Sequence, residues 1–512
     1  MPAMTDETQS DRPEQKQDYE PPKGAETIAT WSSGEATIEY TASARWIVLR
    51  KKDKPAAEIF SVSYVAHGDD LDRPLTFVFN GGPGASSAFL HMGAVGPTRV
   101  AFPADGSLPT MPPRLVQNDE SWLAFTDLVF VDPVGTGFSR VIEPDRKDKD
   151  KEGAKNSVKD KGDDDAIDPQ EYFGYKRDLE SLCEFMGRWL SANGRWGSPI
   201  FIAGESYGGY RVGRLVRVLQ ETAGIGLNGA ILISPALEIG GLAPSDYDVL
   251  AWVDVLPSMA AAAVHHGRSR AFGQDAALEE VLREAETFAT GDYTAFLTRG
   301  ASLPPEERER ILGRLADLVG LPLDLVTRAE GRITIQVFTR ELLRDERKVL
   351  GLYDATITAV DPFPDREAYG GPDPTLSGIS AAYTMATNRQ LRSEIGVETD
   401  REYTVLSFEV FESWKNDAEQ HFFVPPVGAT DDLRYGVALN PHLKLFLSHG
   451  RYDLVTPYYS SDRLRNLMRL DPGNAGRLTV HPFGGGHMFY AWEESRREFA
   501  AAISAFVADA VP

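Results

Sequence analysis

Five short runs of consecutive apolar residues constrain the fold of this chain more than any other feature. Hydrophobic side chains follow one another in them without polar alternation, which is typical of strands covered on both faces in a parallel sheet. The runs are at residues 75–79, 128–131, 200–203, 230–233 and 443–447. Helical patterns lie between them, such as Tyr175, Leu179, Leu182, Met186 and Trp189 at spacings of three and four. Alternating strands and helices predict an α/β fold with a mostly parallel sheet.

The order of these patterns along the chain predicts four parts. Residues 1–28 are acidic and polar, and predict a disordered tail. Residues 29–240 predict the first part of the α/β core, which begins with antiparallel strands over residues 37–66. Residues 241–440 lie between two strands of the same sheet and carry mostly helical patterns, so we interpret them as an inserted cap domain. Residues 441–512 then complete the core.

The charged residues argue against an ion site, a nucleic-acid partner and an anionic membrane as a partner. Residues 144–169 are mostly Lys, Asp, Glu and Gly without apolar anchors, so we expect a mobile, solvated loop rather than an ion site. The net charge of −23 over 512 residues makes nucleic acid and anionic membranes poor partners. No apolar run approaches the ~20 residues of a membrane-spanning helix.

The cysteine content bears on the cellular compartment. A single cysteine, Cys183, excludes an internal disulfide and a cysteine-rich zinc site. The first residues lack the apolar stretch of a secretory signal. Together these features predict a cytoplasmic location, whereas the oligomeric state is left open.

The strongest chemical motif is Gly204-Glu205-Ser206-Tyr207-Gly208. It follows an apolar strand and opens a helix, which is the context of a nucleophile elbow. The alternative is a glycine-rich turn that merely contains a serine. We predict that the serine is the nucleophile and that the N–H of the next residue, at the helix N-terminus, is one donor of an oxyanion hole.

A serine nucleophile needs a base, and the base needs an acid that orients it; in this fold both follow the serine, acid first. His487 lies in a glycine loop after a predicted strand and is the candidate base, whereas His481 lies within that strand and is expected to be packed. Asp453, after the run at 443–447, is the candidate acid. Asp127 and Asp132 precede the serine and break this order. His449, His265 and His266 lack a partner pattern, so no metal site is predicted.

The second oxyanion donor is expected on a loop after an earlier strand. Residues 80–84, Asn-Gly-Gly-Pro-Gly, follow the run at 75–79, and glycine lets a backbone approach the substrate closely. A phosphate-binding loop is the rival interpretation, but the Gly-Lys-Ser/Thr ending is missing.

These residues resemble five motifs of the serine carboxypeptidase family. The matching segments, in the family order, are residues 79–87, 132–139, 204–209, 449–453 and 486–488. The antiparallel strands at the start and the helical insertion are also similar. The likeness indicates an intracellular, bacterial-type member without disulfides, with an α/β-hydrolase fold.

The resemblance implies a triad of Ser206, Asp453 and His487, with an oxyanion hole at the N–H groups of Gly82 and Tyr207. It further implies that Asn80 and Glu205 hydrogen-bond the terminal carboxylate of the substrate. A protonated Glu205 donates to a carboxylate, whereas an ionised one repels it.

Three positions depart from the family pattern. Val78 replaces a usual tryptophan, and Ala85 replaces a disulfide cysteine of secreted members. Ala94 stands where a second acid usually shares the proton of the carboxylate clamp. Half of the clamp is therefore missing, which predicts a weaker preference for a free C-terminus.

The sequence thus predicts a serine-type carboxypeptidase that acts on peptides with a free C-terminus through an acyl-enzyme, without a cofactor. An esterase or acyltransferase using the same triad is the second hypothesis, favoured by the reduced clamp. A catalytically idle binding protein is a third hypothesis, from another class.

Overall fold

A ten-stranded sheet forms the centre of the described structure, a computed structural model. Nine strands follow the order β1-β2-β3-β7-β4-β9-β10-β13-β14, and β8 pairs with β3 at one side. The strands of the described residues are Ala25–Ser33 (β1), Ala36–Lys51 (β2), Lys54–Ala66 (β3), Leu75–Phe79 (β4), Thr98–Val100 (β5), Leu115–Gln117 (β6), Asp127–Val131 (β7), Arg140–Val141 (β8), Ile200–Glu205 (β9), Gly229–Ile233 (β10), Lys348–Leu350 (β11), Thr358–Val360 (β12), Lys444–Gly450 (β13) and Leu478–Phe483 (β14).

From β7 to β14 the neighbouring strands of this sheet are parallel, whereas β1, β2, β3 and β7 pair antiparallel. All residues of β4, β7, β9 and β10 are buried, as the uninterrupted apolar runs predicted. The mostly parallel sheet with antiparallel strands at its start confirms the predicted α/β fold class.

The helices of the described residues flank this sheet or lie between β10 and β13. They are Ala88–Leu90 (α1), Tyr175–Asn193 (α2), Tyr207–Val218 (α3), Leu250–His265 (α4), Leu278–Phe288 (α5), Thr294–Arg299 (α6), Pro305–Val319 (α7), Leu323–Arg328 (α8), Ile335–Glu341 (α9), Ser377–Arg389 (α10), Phe408–Ser413 (α11), Thr430–Leu439 (α12), Tyr458–Leu467 (α13), Pro472–Ala475 (α14) and Glu493–Ala510 (α15). Within the described ranges, no helix has both the length and the apolar character needed to cross a bilayer.

Hydrophobic cores form on both faces of the sheet. Successive residues of a strand point to opposite faces, and Phe77 and Val78 accordingly belong to different clusters of buried side chains. A third cluster joins α4, α5 and α7 with Leu454 and Tyr458, which follow β13. This third core attaches the residues between β10 and β13 to the end of the sheet where Asp453 lies.

The structure describes residues 19–68, 72–142, 169–242, 245–415 and 428–511. The predicted charged loop, apart from Pro169, and most of the predicted tail therefore lie outside the described residues.

The predicted parts differ from the structure at two boundaries. β1 begins at Ala25, inside the range predicted as tail, and the hydroxyl of Tyr19 donates to Glu58 over 2.7 Å. The last helix of the predicted cap, α12, packs on α3 of the core, since its Asp432 pairs with Arg214 and Arg217. Between β10 and β13 the chain also contains the small β11–β12 sheet.

Candidate active site

The turn between β9 and α3 holds Ser206 in a strained conformation. Its φ of 60° and ψ of −123° are unusual for a residue with a side chain, and such strain persists only where the surroundings enforce it. The surroundings here are tight: a Cβ on Gly204 would lie 2.1 Å from the Gly208 carbonyl oxygen, and one on Gly209 would lie 2.4 Å from Pro235 Cβ. Only glycine fits at both positions, as a nucleophile elbow requires.

Two further strands bring an acid and a histidine to the same edge of the sheet. Asp453 follows β13 and His487 follows β14, and both side chains are buried. Nδ1 of His487 lies 2.6 Å from Oδ2 of Asp453. The backbone N–H groups of Val455 and Thr456 donate to Oδ1 of Asp453 over 2.8 and 3.0 Å, which fixes the carboxylate.

The loop after β10 connects Ser206 to this pair. The Ser206 amide donates to the carbonyl of Ile233, and the Ala236 amide donates to the carbonyl of Ser206. The Ser234 hydroxyl donates to the carbonyl of His487 over 2.8 Å. Within the described part of the chain the Ser206 hydroxyl itself makes no hydrogen bond; in free enzymes this catalytic contact often tightens only with substrate.

The electrostatic surroundings of His487 favour its protonated form. Burial opposes the charged imidazolium, but the charge of Asp453, the hydrogen bond to it and the charge of Glu205 together raise the pKa of His487 above its ordinary value. A raised pKa makes the imidazole a stronger base. With Nδ1 directed at Asp453, Nε2 is left to accept a proton.

The glycine loop after β4 lies directly against the elbow. A Cβ on Gly81 would come within 2.5 Å of the Tyr207 nitrogen, and Gly82 has a φ of 98° that favours glycine. Among the described residues no acceptor takes the N–H of Gly82 or of Tyr207. Two free amide donors beside the serine fit an oxyanion hole.

Glu205 and Asn80 lie together, buried, at the carboxyl ends of β9 and β4. The Asn80 side-chain amide donates to Oε2 of Glu205, and the Tyr490 hydroxyl donates to Oε1 over 2.7 Å. Burial raises the pKa of Glu205 to about 7, while the nearby His487 and these two hydrogen bonds oppose the rise. The carboxyl therefore exchanges its proton near neutral pH.

Sequence reasoning missed three residues of this site. Thr456 Oγ1 lies 2.7 Å from Asp453 Oδ2 and 3.0 Å from His487 Nδ1, so it bridges the acid and the base. Tyr490 contacts Glu205, and Asp354 Oδ2 accepts from the Gly486 amide next to His487 over 2.9 Å. Thr456 and Tyr490 had a local signal, because each lies three residues after a residue of the predicted triad, whereas Asp354 had none.

The other candidates named from the sequence contact residues other than Ser206, Asp453 and His487. Asp127 is buried in ion pairs with Arg73 and Arg195. His449 is buried with its Nε2 2.7 Å from the Ser461 hydroxyl, and burial lowers its pKa to about 4. His481 was predicted to be packed, which is wrong: it is exposed, because β14 is the edge strand and alternate residues face solvent, although its ring stacks on Phe483.

Three more sequence candidates also have other partners. Asp132 is fully buried and accepts from the Ser87 amide over 2.9 Å. His265 and His266 stack edge to face with each other, on the last turn of α4 and just beyond it. In the described ranges no group of three or more His, Cys, Asp or Glu is arranged to hold a metal ion.

A cavity of about 710 Å³ adjoins the elbow on the side of β10. Its lining includes Pro235 and Leu237 after β10, Val255 of α4, and Leu454 and Thr456 after β13. The lining also contains Arg463 and Asp254, whose charges compensate through two hydrogen bonds of 2.8 and 2.7 Å. Most of the lining surface is apolar, and its charged residues are this pair and Glu238.

Comparisons with known proteins relate part of the sequence to one family and the fold to a solved structure. The family model described as serine carboxypeptidase matches residues 48–260. Serine carboxypeptidase-like 36 of Arabidopsis thaliana is 32% identical over 168 residues, which cover 32% of this chain and 28% of that protein. The pheromone-processing carboxypeptidase KEX1 of Saccharomyces cerevisiae is 44% identical over 71 residues, which cover 14% and 8% of the two chains. The matched part thus spans less than a third of either relative.

A solved structure extends the likeness to the whole fold. The crystal structure of Kex1(delta)p, a prohormone-processing carboxypeptidase from Saccharomyces cerevisiae, superimposes with a TM-score of 0.55 at 16% identity, covering 92% of both chains. The chain therefore has an α/β-hydrolase fold, and its residues 48–260 match the serine carboxypeptidase family.

Proposed function

We propose that this chain is a serine-type carboxypeptidase that removes the last residue of a peptide with a free C-terminus. The observation that carries the proposal is the buried His487–Asp453 pair, 2.6 Å apart, at the sheet edge where the strained Ser206 also lies. The family match over residues 48–260 includes the elbow and the glycine loop.

The reaction proceeds through two half-reactions. Ser206 Oγ attacks the scissile carbonyl and gives its proton to Nε2 of His487, and the N–H groups of Gly82 and Tyr207 hold the oxyanion. The imidazolium then protonates the leaving amine, so that the C-terminal amino acid departs from an acyl-enzyme. Water attacks the ester with His487 again as base, and the shortened peptide leaves with a new carboxylate. No step needs a cofactor.

Two different parts of the substrate are bound on the two sides of Ser206. The sheet order β4-β9-β10-β13 places Asn80, after β4, on one side and the apolar cavity, after β10 and β13, on the other. Asn80 and a protonated Glu205 bind the terminal carboxylate of the leaving residue. The cavity then takes the side chain of the residue that donates the scissile carbonyl, and its lining favours large apolar side chains.

An active-site-directed fluorophosphonate and a peptide library test this proposal together. We expect the probe to label Ser206, and mass spectrometry to show loss of single C-terminal residues from free-acid peptides. Ser206→Ala should abolish both signals. Labelling without peptide shortening, combined with turnover of an ester panel, would instead establish an esterase or acyltransferase, the alternative that Ala94 favours. No labelling at all would indicate a binding protein.

The cellular setting is part of the proposal. The lone cysteine, Cys183, leaves the fold independent of disulfides and supports action in a reducing compartment such as the cytoplasm. Fractionation of cells that express the protein, followed by fluorophosphonate labelling of each fraction, tests this placement.

A further inference from the structure

The surroundings of Glu205 contain two buried phenols where a second acid was expected. Ala94 supplies no proton donor, and it lies beside Gly93 on a short turn of π-helix after α1. A Cβ on Gly93 would lie 2.5 Å from the Tyr383 hydroxyl oxygen and 2.8 Å from Cε2 of Tyr490. The two tyrosines therefore meet at the turn on which Ala94 lies.

Tyr490 is tied to Glu205 directly. Its hydroxyl donates to Oε1 over 2.7 Å, while Asn80 donates to Oε2, so both carboxylate oxygens are occupied by neutral donors. Asn80 is itself oriented, because its Oδ1 accepts from the Leu90 amide over 3.0 Å. These two donors stabilise the ionised carboxylate of Glu205 although it is buried. They also orient the carboxyl group when it is protonated.

Tyr383 differs from Tyr490 because its hydroxyl has no partner. The side chain comes from α10, is fully buried and packs its ring on Phe89 and Phe102 with centroids 4.9 and 5.8 Å apart. Within the described residues its hydroxyl makes no hydrogen bond. A buried hydroxyl without a partner costs free energy. In a site that binds a carboxylate, this hydroxyl is available to donate a hydrogen bond to it.

We propose that Tyr490 and Tyr383 replace the missing acid of the carboxylate subsite: Tyr490 positions Glu205, and the Tyr383 hydroxyl donates to the terminal carboxylate of the bound peptide. The inference rests on the proposed function and adds two specificity-determining residues to it. A phenol stays protonated across the working pH range, and burial together with the Glu205 charge raises the pKa of both tyrosines further. Part of the carboxylate recognition is then independent of pH.

Removal of the hydroxyl group from Tyr490 and from Tyr383 should change the pH profile for free-acid substrates in different ways. The groups that face Glu205 are Asn80, Tyr490, Tyr383 and the His487–Asp453 pair. Tyr490→Phe removes a donor to the ionised carboxylate, so the pKa of Glu205 rises and the pH limb for free-acid substrates moves upward. Tyr383→Phe leaves that limb in place and weakens binding of the carboxylate at every pH.

The experiment compares matched N-blocked dipeptides that end in a free acid or in an amide, from pH 4.5 to 8. For Tyr383→Phe we expect kcat/KM on the free acid to fall about 10–100-fold, the usual effect of one hydrogen bond to a charged group, with the amide unchanged. For Tyr490→Phe we expect the alkaline limb of the free-acid profile, where kcat/KM falls as Glu205 loses its proton, to shift upward in pH. Tyr403→Phe is the matched control, because its buried hydroxyl contacts the carboxyl of Asp132 over 3.2 Å.

Stability gives an independent readout of the Tyr383 hydroxyl. If it is unpartnered in the free protein, Tyr383→Phe raises the melting temperature while it lowers selectivity; a large loss of melting temperature would mean that the hydroxyl has a structural partner and would overturn its assignment. Unchanged free-acid to amide ratios and unchanged pH profiles in both variants would overturn the whole inference. If wild type hydrolyses neither dipeptide but reacts with fluorophosphonate, the proposed function fails instead.

Discussion

The amide of His487 donates to the backbone carbonyl of Tyr353 over 2.5 Å, and the two rings lie edge to face with centroids 5.2 Å apart. Tyr353 belongs to the residues between β10 and β13, so this insertion supports the histidine directly. Its neighbours support the acid loop as well, because Leu454 donates to the carbonyl of Leu352, and Ala355 donates to that of Tyr452. The insertion thus contacts the segments that carry His487 and Asp453 directly.

Asp354 is the side chain through which this support is best tested. Its Oδ2 accepts from the Gly486 amide over 2.9 Å and from Trp492 Nε1 over 3.1 Å. In Asp354→Ala both donors lose their acceptor and the histidine loop shifts. We expect kcat to fall about 10–100-fold, the usual effect of misplacing a catalytic group by ~1 Å, with KM changed far less. Fluorophosphonate labelling should slow in parallel.

The control for Asp354 is Asp365→Ala, an exposed acid of the same insertion. If Asp354→Ala labels at the wild-type rate, the contact to the Gly486 amide does not position the base.

The strained backbone of Ser206 predicts that two substitutions which both abolish turnover differ in stability. Ser206→Ala and Ser206→Gly both remove the nucleophile, so turnover should fall at least ~10⁴-fold in either, since triad members act as a unit. Glycine adopts positive φ freely, whereas alanine does not, so Ser206→Gly should be about 1 kcal/mol or more the stabler of the two. Urea unfolding of both variants measures the difference; equal stabilities would show that the turn stores no strain.

Glu205 should make the protein less stable as the pH rises. Its pKa is raised by burial to about 7 from an ordinary value of 4.5, so between these values the folded state binds more protons than the unfolded state. The free energy of unfolding then decreases with rising pH, by up to about 3 kcal/mol from this group alone at 1.36 kcal/mol per pKa unit. Glu205→Gln removes this dependence.

The measurement is urea unfolding of wild type and Glu205→Gln at pH 5, 6.5 and 8. We expect the stability of Glu205→Gln relative to wild type to grow from pH 5 to pH 6.5 and to level off above pH 7. A constant difference between the two proteins would mean that Glu205 has the same proton affinity in the folded and unfolded states.

The apolar cavity predicts a preference for peptides with a large apolar side chain before the scissile bond. A substitution that fills the cavity should reverse this preference. Ala251 lies in the cavity lining on α4 and is partly exposed, so a larger side chain has room to enter the cavity. In Ala251→Trp we expect kcat/KM for peptides with Phe or Leu before the scissile bond to fall about 10–200-fold relative to peptides with Ala there. Ala295→Trp, at a partly exposed position on α6 outside the lining, is the control. An equal effect on both peptides would place the side-chain site elsewhere.

The parts of the site that sequence analysis could anticipate are those with local causes. Ser206 needs tight glycine neighbours, and Asp453 and His487 follow apolar strands, so their positions at one sheet edge follow from the parallel order. Glu205 and Tyr490 are 285 positions apart along the chain, and Asp354 and Gly486 are 132 apart. Neither periodicity nor a motif predicts these contacts, because they depend on how the insertion and the last strand pack.

The dependence on distant packing also explains why the sequence-based predictions for His481 and for β1 were wrong. Residues 25–33 are half exposed along most of β1, and their mixture of polar and apolar residues gave little contrast with a tail. The sequence of β14 looks like other strands of the sheet, and only its place at the edge decides that the side chain of His481 faces water.

The order of the sheet has a consequence for how the protein is made. Ser206 follows β9, but Asp453 and His487 follow β13 and β14, which leave the ribosome only after the whole insertion. At ~5–20 residues per second this delay is on the order of tens of seconds. Throughout it, the emerging chain carries an elbow with neither proton acceptor nor carboxylate. The proposed peptidase activity therefore requires that synthesis has passed the last strand.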